Sequence, residues 1–467
     1  MAPILWQPVT QGDTNRKMAS RRTRRIEAVR QRTIPTPKSA IVVGAGIVGL
    51  ATAWHLRRAG LDVRVIEQDH VAAGSSWGNA GWLTPPITTP LPEPAILRSG
   101  IKAFVSPNSP VYVPPRFDAR LIRFLTGFTA RSTAKAWTEA MGHYIPWNRE
   151  SLAAFDELSE HGVQAPTTEP EAFLACFDRA GQHRLLMEEF DQIRAAGQPV
   201  QATLIDGDEA REVAPALSDK VVEAIRLDGT RFIDPPAYMD SLARAVRAQG
   251  TTISEGLKVI DVDGGGPHTP AAVSVRTNVR HGETRSESPT RTEGTAGRLS
   301  ADVVVLATGA WLPQLSRAFG VRQVVQAGRG YSFSIDIDPM PTVPVYFPAQ
   351  RVACTPLGDR FRVAGMMEFR RPDAPLDPRR IKAIRCAAEP MFTGADFDNR
   401  QDEWVGSRPV TPDGLPQIGP TVSPRVHIAG GHGMWGVTLG PLTGRLLTEA
   451  ITTGQAPELL APFDPLR

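Results

Sequence analysis

Residues 39–67, SAIVVGAGIVGLATAWHLRRAGLDVRVIE, read as a β-α-β unit with almost no slack. Ala40–Val43 is a short, mostly β-branched run of the kind that forms a buried strand. Gly44, Gly46 and Gly49 follow as G-x-G-x-x-G, and the spacing predicts a helix from Ile47 to about Ala59, stopped by Gly60. Val63–Ile66 reads as the second strand, with Glu67 and Gln68 at its end. Each glycine has a task in such a turn. One lets the chain reverse tightly, one lets the backbone approach a pyrophosphate, and one lets the helix pack close on the strand. The helix start at Ile47 and Val48 offers unpaired N–H groups to an anion. The Glu67 carboxylate can accept hydrogen bonds from a ribose. Strand, turn, helix, strand and acid together point to a dinucleotide site. Acidic Glu67 disfavours a 2′-phosphate, and the pattern alone leaves FAD and NAD open.

The rest of the chain is long enough for two or three domains. Its 467 residues are 41% hydrophobic and 22% charged, which excludes fibrous and wholly disordered classes. Three distant cysteines, Cys176, Cys354 and Cys386, offer no disulfide scaffold or CxxC ligand pair and fit a reducing compartment. No compact His/Cys/Asp/Glu set suggests a metal. The net charge of +3 is unevenly placed: residues 1–38 carry nine Lys/Arg against two Asp/Glu, so the leader holds +7 and the body −4. With the basic tract confined there, nucleic-acid binding is not expected. Residues 1–36 read as a disordered extension, with no apolar run of signal-peptide type. No stretch reaches 18 uninterrupted apolar residues, so no membrane span is expected and a cytoplasmic location fits.

Helices are expected at 119–130, 148–161, 180–196, after Asp234 to about Gln249, at 378–391 and over Thr438–Thr452. The 119–130 helix is expected to pack inside the protein, its alternative being contact with the inner face of the cell membrane. Strands are expected at Thr251–Ile253, Leu257–Val262, Ala301–Ala307 and Val426–Ala429. Tyr331–Ile337, Val343–Phe347, Arg351–Thr355 and Arg360–Ala364 suggest an antiparallel sheet. The fold class is thus α/β, Rossmann-like, with an interleaved α+β domain. Residues 37–110, 203–327 and 400–467 are assigned to the cofactor domain, with 264–299 read as a hairpin carrying a long polar excursion. Residues 111–202 and 328–399 are assigned to the substrate domain.

Several motifs, in order across about 38–460, resemble the D-amino acid oxidase-like superfamily of FAD enzymes. They are IVVGAGIVGLATAWHL, GSSWGNAG, DVVVLATGAW, GRGY, RFRVAGMMEF, WVGSRPVTPDGLPQIGP and GGHGMWGVTLGPLTGRLL. The likeness is strongest to the bacterial D-amino acid dehydrogenase group and extends to glyphosate and glycine oxidoreductases. It implies FAD, with Ser75 and Ser76 near its pyrophosphate and Asn79, Ala80 and Gly81 near its isoalloxazine. It also implies Val259 at the adenine and Thr308 and Gly309 at a strand end facing the cofactor. Gly431, Gly433, Met434, Trp435 and Gly436 match the loop at the flavin O2/N1 edge, where a helix N-terminus would stabilise the reduced anion. No cysteine stands near GSRPVTPDG, so the FAD is expected to be noncovalent; a histidine link would need His70 or His432.

The resemblance also implies the substrate site. Arg408 in WVGSRP matches the position that holds a substrate carboxylate, a role suited to the guanidinium fork. Tyr331 matches an active-site position in part of the family, and His432 lies in the flavin-edge loop. Asp413 in TPDG reads as a turn cap, and Trp77, Trp82 and Trp435 either shape the pocket or pack. The implied activity is oxidation of an amino acid or related amine, with selectivity for the D-enantiomer as one form. A Cα hydride would pass to flavin N5 and then to oxygen or a quinone or respiratory acceptor. A 2-hydroxy acid oxidoreductase and a flavin-bound protein without turnover are the rival readings. Nothing in the sequence sets an oligomeric state.

Overall fold

The computed structural model of the chain describes residues 35–94, 109, 111–114, 117–278 and 297–467. The expected leader, apart from residues 35 and 36, and the 279–296 part of the expected excursion lie outside the described residues.

Ser39–Val43 pairs in parallel with Asp62–Ile66 on one side and Val303–Leu306 on the other. The sheet continues through Thr252–Ser254 at one edge and Val426–Gly430 and Gln417–Pro420 at the other. Its one antiparallel pairing is between those last two strands. The Ile47–Arg58 helix follows the glycine turn, and Gly60, at φ 91°, ends the unit as expected. The Gly436–Thr453 helix packs against it so closely that a Cβ on Gly444 would lie 2.7 Å from the Ala51 carbonyl carbon. Leu439, Leu442, Leu446, Leu447 and Ile451 repeat at helical spacing and are all buried. Each contributes roughly 1.5–3 kcal/mol of transfer free energy.

A second sheet roofs this layer. Its order is Gln401–Val410, Gln326–Ile335, Arg360–Phe369, Val352–Leu357, Val345–Phe347, Phe173–Phe177, Glu223–Leu227 and Ala202–Asp206. Val111–Tyr112 adds alongside Arg360–Phe369. Side chains alternate across it. Tyr331, Phe333, Ile335, Phe361 and Val363 enter a core with Ile381 and Ile384 of the Pro378–Ala388 helix. Ser332, on the other face, donates to the Gly78 carbonyl oxygen at 2.8 Å, toward the glycine-turn layer. The molecule is therefore an α/β Rossmann-like layer joined to an α+β body with an antiparallel sheet.

Several expected boundaries shift. Ala202–Asp206 pairs with Glu223–Leu227, which pairs with Phe173–Phe177, so the start of segment 203–327 belongs by hydrogen bonding to the roofing sheet. Gln401–Val410, expected in the cofactor domain, is an edge strand of the same sheet. The hairpin expected in 264–299 is present: Ala271–Thr277, with Ala271, Val273 and Val275 buried, pairs antiparallel with Gly297–Ala301. The helix expected at 148–161 runs from Ala134 to Glu160 and contains Pro146. Proline removes one N–H, but Trp137, Met141, Tyr144 and Trp147 bury one continuous stripe that carries the helix through it. Among the described residues no helix is long and apolar enough to cross a membrane. The apolar stripe of Ala119–Arg131 (Leu121, Phe124 and Phe128) is buried against Val324, Met367, Phe369 and Val410.

His427, in the Val426–Gly430 strand, is buried and its Nδ1 has no partner. Burial lowers its pKa from 6.5 to about 4. Between those values the unfolded chain binds the proton and the folded chain does not, so stability is lost as pH falls, by up to about 1.4 kcal/mol per pH unit. The urea midpoint should therefore fall more steeply from pH 7 to about 4.5 in the parent protein than in His427→Asn. Equal slopes would contradict this assignment.

Candidate active site

The glycine turn is built from contacts no side chain could share. Gly44 has φ 109°, and a Cβ there would lie 2.5 Å from the Ala307 carbonyl oxygen. A Cβ on Gly49 would lie 1.9 Å from the Gly44 carbonyl oxygen. The Glu67 carboxylate accepts the Ala45 N–H at 2.8 Å and the Asp69 N–H at 3.0 Å, bracing the turn from the end of the second strand. Burial raises its pKa. Beside it Asn278 donates to the Gln68 carbonyl oxygen, and Leu257, at the start of the strand that carries Val259, donates to that of Glu67. The Ser76 hydroxyl accepts the Ile47 N–H at 3.1 Å. The hydroxyl of Thr308, beside the turn, is buried and has no partner.

A cavity opens at this turn. Gly46, Ile47 and Val48 line one side, Ser75, Ser76 and Asn79 the next, and Ala307 and Gly309 the strand end. The 75–82 loop is fixed from three directions. Gly81 N–H donates to Asn79 Oδ1 at 2.8 Å. Thr355 Oγ1 donates to the Ala80 carbonyl oxygen at 2.7 Å, and Ile233 N–H to that of Gly81 at 2.9 Å. The residues expected at the isoalloxazine therefore lie between the two sheets.

The opposite wall is the 429–437 loop, where Gly430, His432, Gly433, Met434 and Gly436 line the cavity. Gly431 and Gly433 have φ 79° and 57°. Gly433 N–H donates to the Pro409 carbonyl oxygen at 2.9 Å. The helix begins at Gly436. Trp435 turns away and donates to the Thr89 carbonyl oxygen at 2.6 Å. Trp82 likewise packs, edge-on to Phe173 and Tyr346. His432 is buried, which lowers its pKa to about 3. Thr443 donates its one proton to the Leu439 carbonyl oxygen at 2.8 Å, so it accepts from His432 Nε2 at 2.9 Å. The imidazole is thus neutral, protonated on Nε2, with its lone pair on Nδ1.

Arg408 forms the roof of the cavity. Its Nη1 donates to the Met366 carbonyl oxygen at 2.8 Å, and no ion pair engages it among the described residues. Burial lowers its pKa to about 10, so it stays charged at neutral pH. The guanidinium occupies the place of a missing side chain: a Cβ on Gly330 would lie 2.4 Å from Arg408 Cζ. Met366 has φ 67°. For a non-glycine residue that conformation costs on the order of 1–3 kcal/mol and persists only when its surroundings impose it.

Tyr331 is not in the cavity. It lies on the far face of the sheet, where its hydroxyl donates to Glu368 Oε2 at 2.6 Å, and burial with that contact raises its pKa. A one-residue alternation separates it from Gly330, whose face meets Arg408. Asp413 is the expected turn cap, accepting Leu415 N–H at 3.1 Å, and it also pairs with Arg467 at 3.0 Å. Sequence reasoning missed Met366, Thr443 and the buried Arg362. The Arg362 guanidinium lies 5.3 Å from the Trp77 ring centroid, and its two terminal nitrogens are without partners. RFRVAGMMEF held two of these residues, but only the strand pairing makes their orientation visible.

Comparison with known proteins places the chain. It is 29% identical over 428 residues to a D-amino acid dehydrogenase of Cereibacter sphaeroides, covering 90% of this chain and 92% of that one. It is 30% identical over 434 residues to a D-amino acid dehydrogenase of Methylobacterium nodulans, covering 90% and 96%. Among solved structures it resembles the glycine oxidase of Geobacillus kaustophilus with a TM-score of 0.66 at 20% identity, over 92% of this chain and 98% of that one. Residues 39–450 match the family described as DAO, FAD dependent oxidoreductase, and the chain belongs to that family.

Proposed function

We propose that this FAD-dependent enzyme oxidises a D-amino acid, with Arg408 holding the substrate carboxylate. The observation that carries the reading is the half-buried, charged Arg408 guanidinium, without an acidic partner among the described residues, set in the wall of the cavity that the glycine turn opens. D-selectivity is inferred from the dehydrogenases that the chain matches along most of its length.

The residues present fit FAD. The free first-turn N–H groups near Val48 and the unpartnered Thr308 hydroxyl face bonding tasks that the protein leaves open. Glu67, Gln68 and Val259 would meet the adenosine, Ser75 and Ser76 the pyrophosphate, and Asn79, Ala80 and Gly81 the ring. No cysteine is among the described lining residues and His432 engages Thr443 through Nε2, so the cofactor is taken as noncovalent. When bound, FAD supplies an acceptor for the substrate's Cα hydride.

The chain's own residues supply placement and field. Arg408 fixes the carboxylate and hence the direction of the Cα–H bond. The Gly436 helix start favours negative charge at its end of the cavity. Neutral His432 offers Nδ1 as an acceptor and adds no further positive charge to the cavity. Among the described lining residues only Arg408 and His432 are titratable, so the amine must arrive neutral rather than be stripped by a strong base. The imine product adds water and yields a 2-oxo acid and ammonia.

Anaerobic loss of flavin colour should be fastest with D-amino acids, slower with L-amino acids and absent with 2-hydroxy acids. Colour loss with 2-hydroxy acids alone would replace the reading, and none with any substrate would remove catalysis from it. Arg408→Ala should lower kcat/KM for carboxylate substrates roughly 100-fold, the loss of a charged hydrogen-bonded pair of about 3 kcal/mol. Unchanged kcat/KM would remove the clamp. Glu67→Ala should raise the FAD dissociation constant about tenfold or more in equilibrium dialysis, since it frees two N–H groups that hold the turn. An unchanged constant would contradict that role.

A further inference from the structure

The carbonyl that steadies Arg408 sits on a fault in the sheet. Where Gln326–Ile335 pairs with Arg360–Phe369, Arg329 stands opposite Glu368 and Tyr331 opposite Gly365. Two residues on one strand therefore span three on the other, and Met366 and Met367 together face Gly330 as a bulge. Met366, at φ 67°, turns its carbonyl onto Arg408. Nothing about methionine favours that conformation, so the neighbours of the bulge must hold it.

Glu368 follows the bulge directly and is fully buried. Tyr331 donates to its Oε2 at 2.6 Å. Arg370 Nε lies 2.9 Å from its Oε1, with Arg380 at 3.6 Å and Arg329 at 3.9 Å. Arg329 is itself tied to the Ala374 and Pro375 carbonyl oxygens. Arg380 is stacked on Tyr112 at 4.0 Å, and the Tyr112 strand pairs with Met367–Glu368. Four side chains, those of Tyr331, Arg370, Arg380 and Arg329, thus surround one carboxylate two residues after a strained one. No group of this cluster reaches the cavity lining.

We propose that Glu368 and Tyr331 are positioning residues for substrate recognition: they lock the strand beyond the bulge so that the Met366 carbonyl stays on Arg408. The inference rests on the reading of Arg408 as the carboxylate clamp. It gives the Tyr331 hydroxyl a role that never touches substrate.

The test uses the FAD-loaded enzyme and benzoate as an unreactive carboxylate, with affinity read from the shift in flavin absorbance. Tyr331→Phe and Glu368→Gln should each raise the benzoate Kd and the amino acid KM about tenfold, with kcat and FAD content nearly unchanged. If Glu368→Gln fails to fold, Tyr331→Phe carries the test, because it removes only a hydroxyl. Glycine accepts positive φ without strain, so Met366→Gly should hold the bulge without the cluster. In that background Tyr331→Phe should lose most of its effect on the benzoate Kd. An unchanged Kd in Tyr331→Phe, or the same shift in both backgrounds, would overturn the proposal. If Arg408→Lys also leaves the Kd unchanged, the clamp reading falls instead. If Arg408→Lys weakens benzoate and Tyr331→Phe does not, only the positioning role falls.

Discussion

Between Gly44 and Gly49 the backbone closes to a distance that no Cβ could occupy, and most of the molecule is placed by that closure. It sets where the Ile47 helix starts relative to the strand before it. The exposed helix start is then met by the Ser76 hydroxyl, which fixes one end of the 75–82 loop. That loop in turn receives hydrogen bonds from Ser332 and Thr355 of the roofing sheet. A second closure, at Gly444 against Ala51, brings another helix alongside the first. Both helices therefore open onto the same cavity, one from each side.

The cavity that results is electrostatically one-sided. Two helix starts and a half-buried arginine face it, and no Asp or Glu lines it among the described residues. Protonation does not reverse this within the physiological range, because His432 stays neutral and Arg408 stays charged. A site of this sign stabilises pyrophosphate, carboxylate and a ring that becomes more negative as it is reduced. On the proposed reading, turnover would depend on geometry more than on a catalytic base, and the hold on Arg408 would then matter beyond its single hydrogen bond to Met366.

What could be read from the sequence was what neighbouring residues decide among themselves. The β-α-β unit, the helix start after Asp234 and the helix beginning at residue 119 are local, and the structure carries them where the sequence indicates; the last helix begins at Gly436, two residues before the expected Thr438. Residues 46–48 of the glycine turn and the 429–437 loop line one cavity. The strands of the roofing sheet were harder. GRGY and VGSRP contain glycines that look like turns, yet both lie inside strands. Their glycines make room for large side chains: Gly330 for Arg408, and Gly406 for the Trp404 ring. The side on which Tyr331 falls depends on strand parity, and a bulge on the neighbouring strand sets which residues share its surroundings. Neither is written in the residues around it.

Arg362 extends the same logic past the cavity wall. It is fully buried and its Nε reaches only the Ser334 hydroxyl, itself 3.4 Å from Asp402. Burial lowers its pKa to about 10, as for Arg408, so both remain cations without a direct ion pair. Carrying two such charges inside a protein is unfavourable unless something offsets it. For Arg362 the offset is partial: the face of Trp77, whose neighbours Ser76 and Asn79 line the cavity. For Arg408 it is a single carbonyl oxygen. On the proposed reading, an anionic group entering the cavity would supply the missing compensation to Arg408. Ligand binding and the stability of this sheet face are therefore coupled, since whatever binds the folded state alone also stabilises it.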